Sequence, residues 1–311
     1  MPPKVSVTAG NSQVLVPFLL TCRVGWRLTN KGVGRVNDRP DPADAIDLGH
    51  PNSARVYDYF LGGTANWAID RVLGDKLSEL VPIIRTGAQV NREFLGRAVR
   101  YAVGNGITQF LDLGSGVPTV GNVHEVADEI DPDSRCVYVD REPVAVAHAR
   151  ILLERDGDPD RHAVLQADLR DVDAVWKAAL ATGVLDPSRP IGLLMVSVLH
   201  FLDPQDEVSE VVAQYRELLP PGSHLVISHA TLDAVPEAEL RQFEAGVELY
   251  RASGIAASPR DRDTIRAYFG DFALAEPGLT WLPEWQAAGH QVLLRERPEA
   301  CCFVGGLGIK G

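Results

Sequence analysis

The stretch "QFLDLGSGVPTVGNV", Gln109 to Val123, decides how this sequence is read. An apolar run ends in the carboxylate of Asp112, and Gly114 and Gly116 follow at once. That order describes a buried strand running into a turn whose backbone can approach a ligand closely. A dinucleotide fingerprint would need a third glycine where Thr119 stands, because that glycine lets the following helix pack against the strand. Gly121 comes two residues too late. Asp112 adds a second objection, since a carboxylate repels a pyrophosphate and attracts a cation. S-adenosyl-L-methionine carries an ammonium and a sulfonium and no phosphate, so the same strand and turn suit it better. The glycine pair alone does not settle the ligand.

Two further acids end apolar runs. Asp140 closes "CVYVD", where a carboxylate can accept both ribose hydroxyls, a feature that NAD enzymes share. Asp168 closes "AVLQAD", where it can accept from an adenine amino group while Leu169 offers its amide. In an open α/β sheet these three tips would ring one crevice at the carboxyl ends of adjacent strands. Any one of them could equally cap a helix; the three together favour a site.

Around these tips, "ITQFLDLG", "RCVYVD", "AVLQAD", "IGLLMVSVL" and "HLVISHA" read as strands, with "EPVAVAHARILLERD" and "DEVSEVVAQYRELL" as helices between them. Continuous apolar strands imply a parallel sheet covered on both faces. The chain ends differently: "FALAEPGLT" and "ACCFVGGLGIKG" lack a long helix between them and predict an antiparallel hairpin at the sheet edge. Three helices are predicted upstream. One is "SARVYDYF". A second carries Ile69, Val72, Leu73, Leu77 and Leu80, and a third runs from about Gly87 to Val103 with Val90, Phe94, Ala98 and Tyr101 on one face.

Composition sets the outer limits. The 311 residues, 45% hydrophobic and 23% charged, are enough for a full globular core. A net charge of −12 argues against nucleic acid and anionic membrane surfaces as partners. The four cysteines, Cys22, Cys136, Cys301 and Cys302, have neither disulfide-framework nor zinc-ligand spacing, which fits a reducing cytoplasm. Residues 1–45 read as a leader and linker outside the fold. "VLVPFLLTC" is too short for a membrane span, and Thr21 is a poor residue before a lipid-accepting cysteine.

The ordered motifs "ARVYDYFLGG", "NREFL", "QFLDLGSGVPTVGNVHEVA", "VYVDREPVAVAHAR", "QADLRD", "VLHF" and "SHAT" resemble a bacterial S-adenosyl methyltransferase family long catalogued as a domain of unknown function. The resemblance spans roughly residues 46 to 311. It implies an α/β fold of the class I methyltransferase (Rossmann-like) type. Such a fold has a seven-stranded sheet, residues 105–311, under an N-terminal helical lid, residues 46–104. It also implies S-adenosyl-L-methionine as cofactor, with Asp112, Gly114, Ser115 and Gly116 in the glycine loop and Asp140 and Arg141 at the ribose. Asp168 and Leu169 would serve the adenine, with Ser197 at the fourth strand tip. Arg92 is expected to reach the methionine carboxylate, and Tyr57 to turn toward the crevice. A small-molecule methyl acceptor is the expected partner.

Methyl transfer needs positioning and, for a hydroxyl or amine acceptor, removal of a proton. His200 in "VSVLHFLDPQDE" is the candidate base. The stretch resembles the H-D-W-x-D-E region of plant-type O-methyltransferases, with Phe201 and Leu202 in place of Asp and Trp; a loop-anchoring histidine is the equal alternative. His229 is a second candidate. Tyr57, Tyr59 and Trp67 are the aromatic residues expected to border the acceptor. No metal site is expected, because no histidine, cysteine or glutamate has ligand spacing to His200 or His229. Two alternatives stay open: an NAD(P)-dependent oxidoreductase, and a catalytically silent protein that binds S-adenosylmethionine.

Overall fold

The computed structural model describes residue 47 and residues 49–311 apart from Val120. The expected leader and linker, residues 1–45, lie outside the described residues, and the described residues belong to one compact unit.

Five parallel strands form the sheet the sequence predicts: β1 (Gln109–Leu113), β2 (Arg135–Asp140), β3 (His162–Gln166), β4 (Gly192–Val196) and β5 (His224–Ala230). Their order across the sheet is β3-β2-β1-β4-β5. The strand order reverses at β1, which places the tips of β1 and β4 side by side and opens a crevice there. Asp112 lies opposite Tyr138 of β2 and Leu194 of β4. β1 is buried along its whole length, as a strand covered on both faces must be.

The carboxyl-terminal edge departs from a simple hairpin. Three strands are present, the two-residue β6 (Ala273–Leu274) and β7 (Thr280–Trp281) and the longer β8 (Phe303–Ile309). β8 runs antiparallel between β5 and β6, and β7 pairs with β8 off the main path, giving eight strands. The chain needs the long connection over residues 282–302 to return β8 to the inside of the sheet, so no tight turn joins the strands. Glycines let β8 sit there: a Cβ at Gly305 would lie 2.6 Å from Leu282 and 2.8 Å from Phe94.

Upstream stand α1 (Ser53–Phe60), α2 (Ala68–Leu80) and α3 (Ile84–Gly104). The Asn52 side chain caps α1 by accepting from the Ala54 amide. α3 begins a turn earlier than its apolar period suggests, and Val90, Phe94, Ala98 and Val99 take it into the main core with β1, β4 and β5. α4 (Val123–Asp128), α5 (Pro143–Asp156), α6 (Val172–Ala181) and α7 (Val208–Leu218) separate the strands. Two more helices, α8 (Glu237–Ala252) and α9 (Arg262–Ala267), follow β5. A second core cluster joins Val56 and Phe60 of α1, Leu73 and Leu77 of α2, Ala88 of α3 and Ile255 beyond α8.

Arg55 holds these helices to the sheet. It is 1% exposed, and its guanidinium pairs with Asp70 of α2 and with Glu142, the residue before α5, both at 2.9 Å. The same Glu142 accepts from the Asn52 side chain at 2.7 Å. The Arg55 charge is therefore spent on structure. Among the described residues no helix is long and apolar enough to cross a membrane, and no cluster of metal-ligand side chains occurs.

Candidate active site

Every residue of the expected cofactor set lines one cleft: Asp112, Gly114, Ser115, Gly116, Asp140, Arg141, Asp168, Leu169 and Ser197 from the strand tips, and Tyr57 and Arg92 from α1 and α3. The cleft spans about 950 Å³, part of it open solvent. The glycine loop is clamped onto the end of β2. The Gly114 and Ser115 amides both donate to Val139 O, at 2.8 and 3.1 Å, and the Gly116 amide donates to Asp140 Oδ2 at 2.7 Å. Gly114 has φ +71°, and a Cβ there would come within 2.2 Å of the Val198 side chain, so only glycine fits.

The three acids differ in what they already hold. Asp140 accepts from Gly116 through one oxygen and from the Glu142 amide through the other, at 2.8 Å, so it shapes the loop and keeps lone pairs on both oxygens for the cleft. Asp168 is engaged more fully: Arg170 donates to it through Nε, Nη2 and its own amide, and holds its carboxyl below the ordinary carboxylate range. Asp112 is the free one. No described residue donates a hydrogen bond to its carboxyl, and burial pushes its pKa up to about 7, with Asp140 adding to the rise and Arg92 opposing it. Arg92 likewise has a buried Nε without a hydrogen-bond partner. An unpartnered carboxyl and an unpartnered guanidinium at one end of a cleft are complementary to the ammonium and carboxylate of an amino acid. The residues present thus fit the methionine end of S-adenosylmethionine.

The sequence profile of the S-adenosyl methyltransferase family matches residues 39–311. The chain belongs to that family. Two crystal structures are similar along most of their length. A Thermobifida fusca protein assigned as a methyltransferase is 37% identical with a TM-score of 0.77, over 85% of this chain and 96% of that one. A DUF574 family protein from Streptomyces avermitilis is 31% identical with a TM-score of 0.78, over 86% of this chain and 100% of that one. The curated proteins contain no match. The family's cofactor is S-adenosyl-L-methionine and its chemistry is methyl transfer, which sets the oxidoreductase alternative aside.

His200 does not reach the cofactor cleft of this family member. It lines a second cleft, about 750 Å³, between the tips of β4 and β5, α1, α3 and α8. The two clefts share Tyr57, Ser197 and Phe201. His200 is 5% exposed, its ring packs against Phe201, His229 and Phe303, and no described residue bonds its imidazole. Burial, with His229 and Arg260 nearby, holds its pKa well below the ordinary histidine range, so it is neutral near pH 7. His229 is anchored elsewhere: Nδ1 meets Ala230 O at 2.7 Å and Nε2 meets Arg260 Nη1 at 3.1 Å, which makes Nδ1 the protonated nitrogen.

Of the three aromatic residues expected to border the acceptor, Tyr57 lines this second cleft and the other two do not. Tyr59 turns away to Asp75 and stacks under Arg85, and Trp67 lies under Arg55. The aromatic border comes from Phe60, Phe201, Phe243, Tyr250 and Phe303 instead. A hydrogen-bonded chain fixes two of the shared residues. Tyr57 Oη donates to Ala88 O and accepts from Asn91 Nδ2, Asn91 Oδ1 accepts from Ser228 Oγ, and Ser228 Oγ accepts from the Ser197 amide. Ser197 sits at φ +58°, an unfavoured conformation for serine that this chain holds in place. Asn91 and Ser228 were legible as motif residues, in "NREFL" and "SHAT"; nothing in the sequence marked Tyr250.

Proposed function

We propose that this methyltransferase acts on a small molecule seated in the apolar cleft, with His200 taking up the acceptor's proton. The observation that carries the reading is the common wall of the two clefts, formed by Tyr57, Ser197 and Phe201. S-adenosylmethionine supplies a methyl group on a sulfonium, ready for in-line displacement. Asp112 and Arg92 would hold the amino-acid end, Asp140 the ribose, and Leu169 with Asp168 the adenine side. The Tyr57–Asn91–Ser228–Ser197 chain keeps the opening between the clefts in one shape, and positioning of this kind supplies much of the rate in such a transfer.

α1 and α2 serve as the lid in this reading, because α1 lines both clefts and is tied down through Arg55. A neutral imidazole is the form that can accept a proton, which supports His200 as base; its low basicity suits an acceptor whose proton leaves only as the new bond forms. A cytoplasmic place of action belongs to the same proposal, supported by Cys136, Cys301 and Cys302 as free buried thiols. A screen of small phenols, carboxylates and amines with a homocysteine-release readout tests the function. Turnover with a small acceptor is expected. Turnover confined to protein or nucleic acid acceptors would overturn the proposal, and none with any acceptor would favour the silent binder.

A further inference from the structure

The lining of the apolar cleft limits what can enter it. Among the described residues around it there is no aspartate, glutamate, lysine or arginine. α8 shows how this arises: Phe243, Gly246, Val247 and Tyr250, spaced three and four apart, face the cleft, while Arg241, Glu244, Glu248 and Arg251 are exposed. Two cations beside the cleft are committed elsewhere: Arg260 Nη1 donates to Leu199 O and Ser258 O and meets His229, and Arg251 Nε donates to Ala257 O. In the lining, His200 Nδ1 is buried without a hydrogen-bond partner among the described residues, and the Tyr250, Ser197 and Ser258 hydroxyls are not engaged by any of them. The Phe201 ring stands between two of these residues, 4.4 Å from His200 and 5.9 Å from Tyr250, with its neighbours turned edge-on or tilted to it.

We infer that the methyl acceptor is an uncharged, flat, ring-bearing molecule with a hydroxyl or amine group, and that carboxylate or phosphate acceptors are excluded. This rests on the reading of the cleft as the acceptor site. A charged group entering would lose its hydration with no counter-ion to replace it, whereas a ring would meet aromatic edges on several sides and a polar group would meet His200 or Tyr250. The opening beside Tyr57, Ser197 and Phe201 then receives the atom to be methylated.

Naphthol and naphthoate, equal in ring size and opposite in charge at neutral pH, are suitable probes. Their binding to the S-adenosylhomocysteine-loaded protein would be measured by isothermal titration. Naphthol is expected to bind at least about tenfold tighter, because the pocket leaves a carboxylate unpaired. Val247, half-buried on α8, then serves twice: Val247→Trp should abolish naphthol binding with S-adenosylhomocysteine affinity unchanged, and Val247→Arg should shift the preference toward naphthoate. Naphthoate binding as tightly as naphthol to the unaltered protein overturns the uncharged acceptor while leaving the cleft as acceptor site. Failure of both probes to bind, or naphthol binding untouched by a folded Val247→Trp, overturns the acceptor-site reading and the inference with it.

Discussion

The two clefts that meet at Tyr57, Ser197 and Phe201 are built in opposite ways. The strand-tip cleft is the more polar of the two and takes its acids and glycines from strand tips and the turns just after them, with clamping bonds from Gly114, Ser115 and Gly116 that reach only to the end of the neighbouring strand. The second cleft is apolar and long-range, closed by Phe60 of α1, Ala88 of α3, Phe243 and Tyr250 of α8 and Phe303 of β8. A shared cofactor can be held by one compact motif. An acceptor pocket has to be shaped by packing among distant helices, and so can change without disturbing the motif.

The sharpest way to break this contrast is at His200. If the apolar cleft holds the chemistry, His200→Ala should lower turnover by roughly 10²–10⁴-fold while S-adenosylhomocysteine affinity stays nearly intact. Full turnover of the variant would leave His200 as a loop anchor and make positioning the whole mechanism.

Arg55 tests whether the clefts depend on a common support. Arg55→Ala leaves the carboxylates of Asp70 and Glu142 without their partner, and such a loss costs about 3–5 kcal/mol when the pair is buried. Chemical denaturation should show that loss, together with weaker binding in both clefts, because α1 lines both. An unchanged unfolding midpoint would mean that α1 is held by its apolar contacts alone.

Asp140→Ala should act on the cofactor side only. A loss of about 1.5–3 kcal/mol in S-adenosylhomocysteine binding is expected, typical of a hydrogen bond to a charged group, with naphthol binding to the apolar cleft preserved. Equal cofactor affinity in the two proteins would remove Asp140 from the ribose and leave it as the clamp of Gly116.

The smallest expected effect concerns Asp112. Its pKa near 7 in the free protein means that an incoming ammonium must first have the carboxyl ionised, so affinity should rise with pH and level off above about 7, changing by up to about tenfold per unit below it. Binding at pH 6 should release a proton, read from titrations in buffers of different ionisation enthalpy, and Asp112→Asn should abolish the dependence. The sign for stability is the reverse. A carboxyl whose pKa is raised on folding contributes stability below its unfolded value and loses it as pH rises through about 7, so the ligand-free protein should melt relatively earlier on the alkaline side than Asp112→Asn. Flat profiles for both proteins would show that Asp112 is already ionised.

The sequence by itself determined the parallel sheet, because each strand is a short apolar run with helix-forming residues between, and it marked the acids and glycines that line the strand-tip cleft, because they sit at fixed offsets from the strand ends. It also carried the family resemblance that named the cofactor. Only the tertiary structure decided the rest. The position of β8 between β5 and β6 depends on pairing across residues 282–302, which no local pattern encodes. The fate of Arg55 depended on where Asp70 and Glu142 arrive, and that of Asp168 on Arg170 turning back to it. The apolar cleft was invisible for the same reason. Its residues come from helices whose periodicity shows which face is apolar but not what that face encloses; α8 and α1 have to be brought together over Phe201 before their apolar faces become a cavity rather than a core.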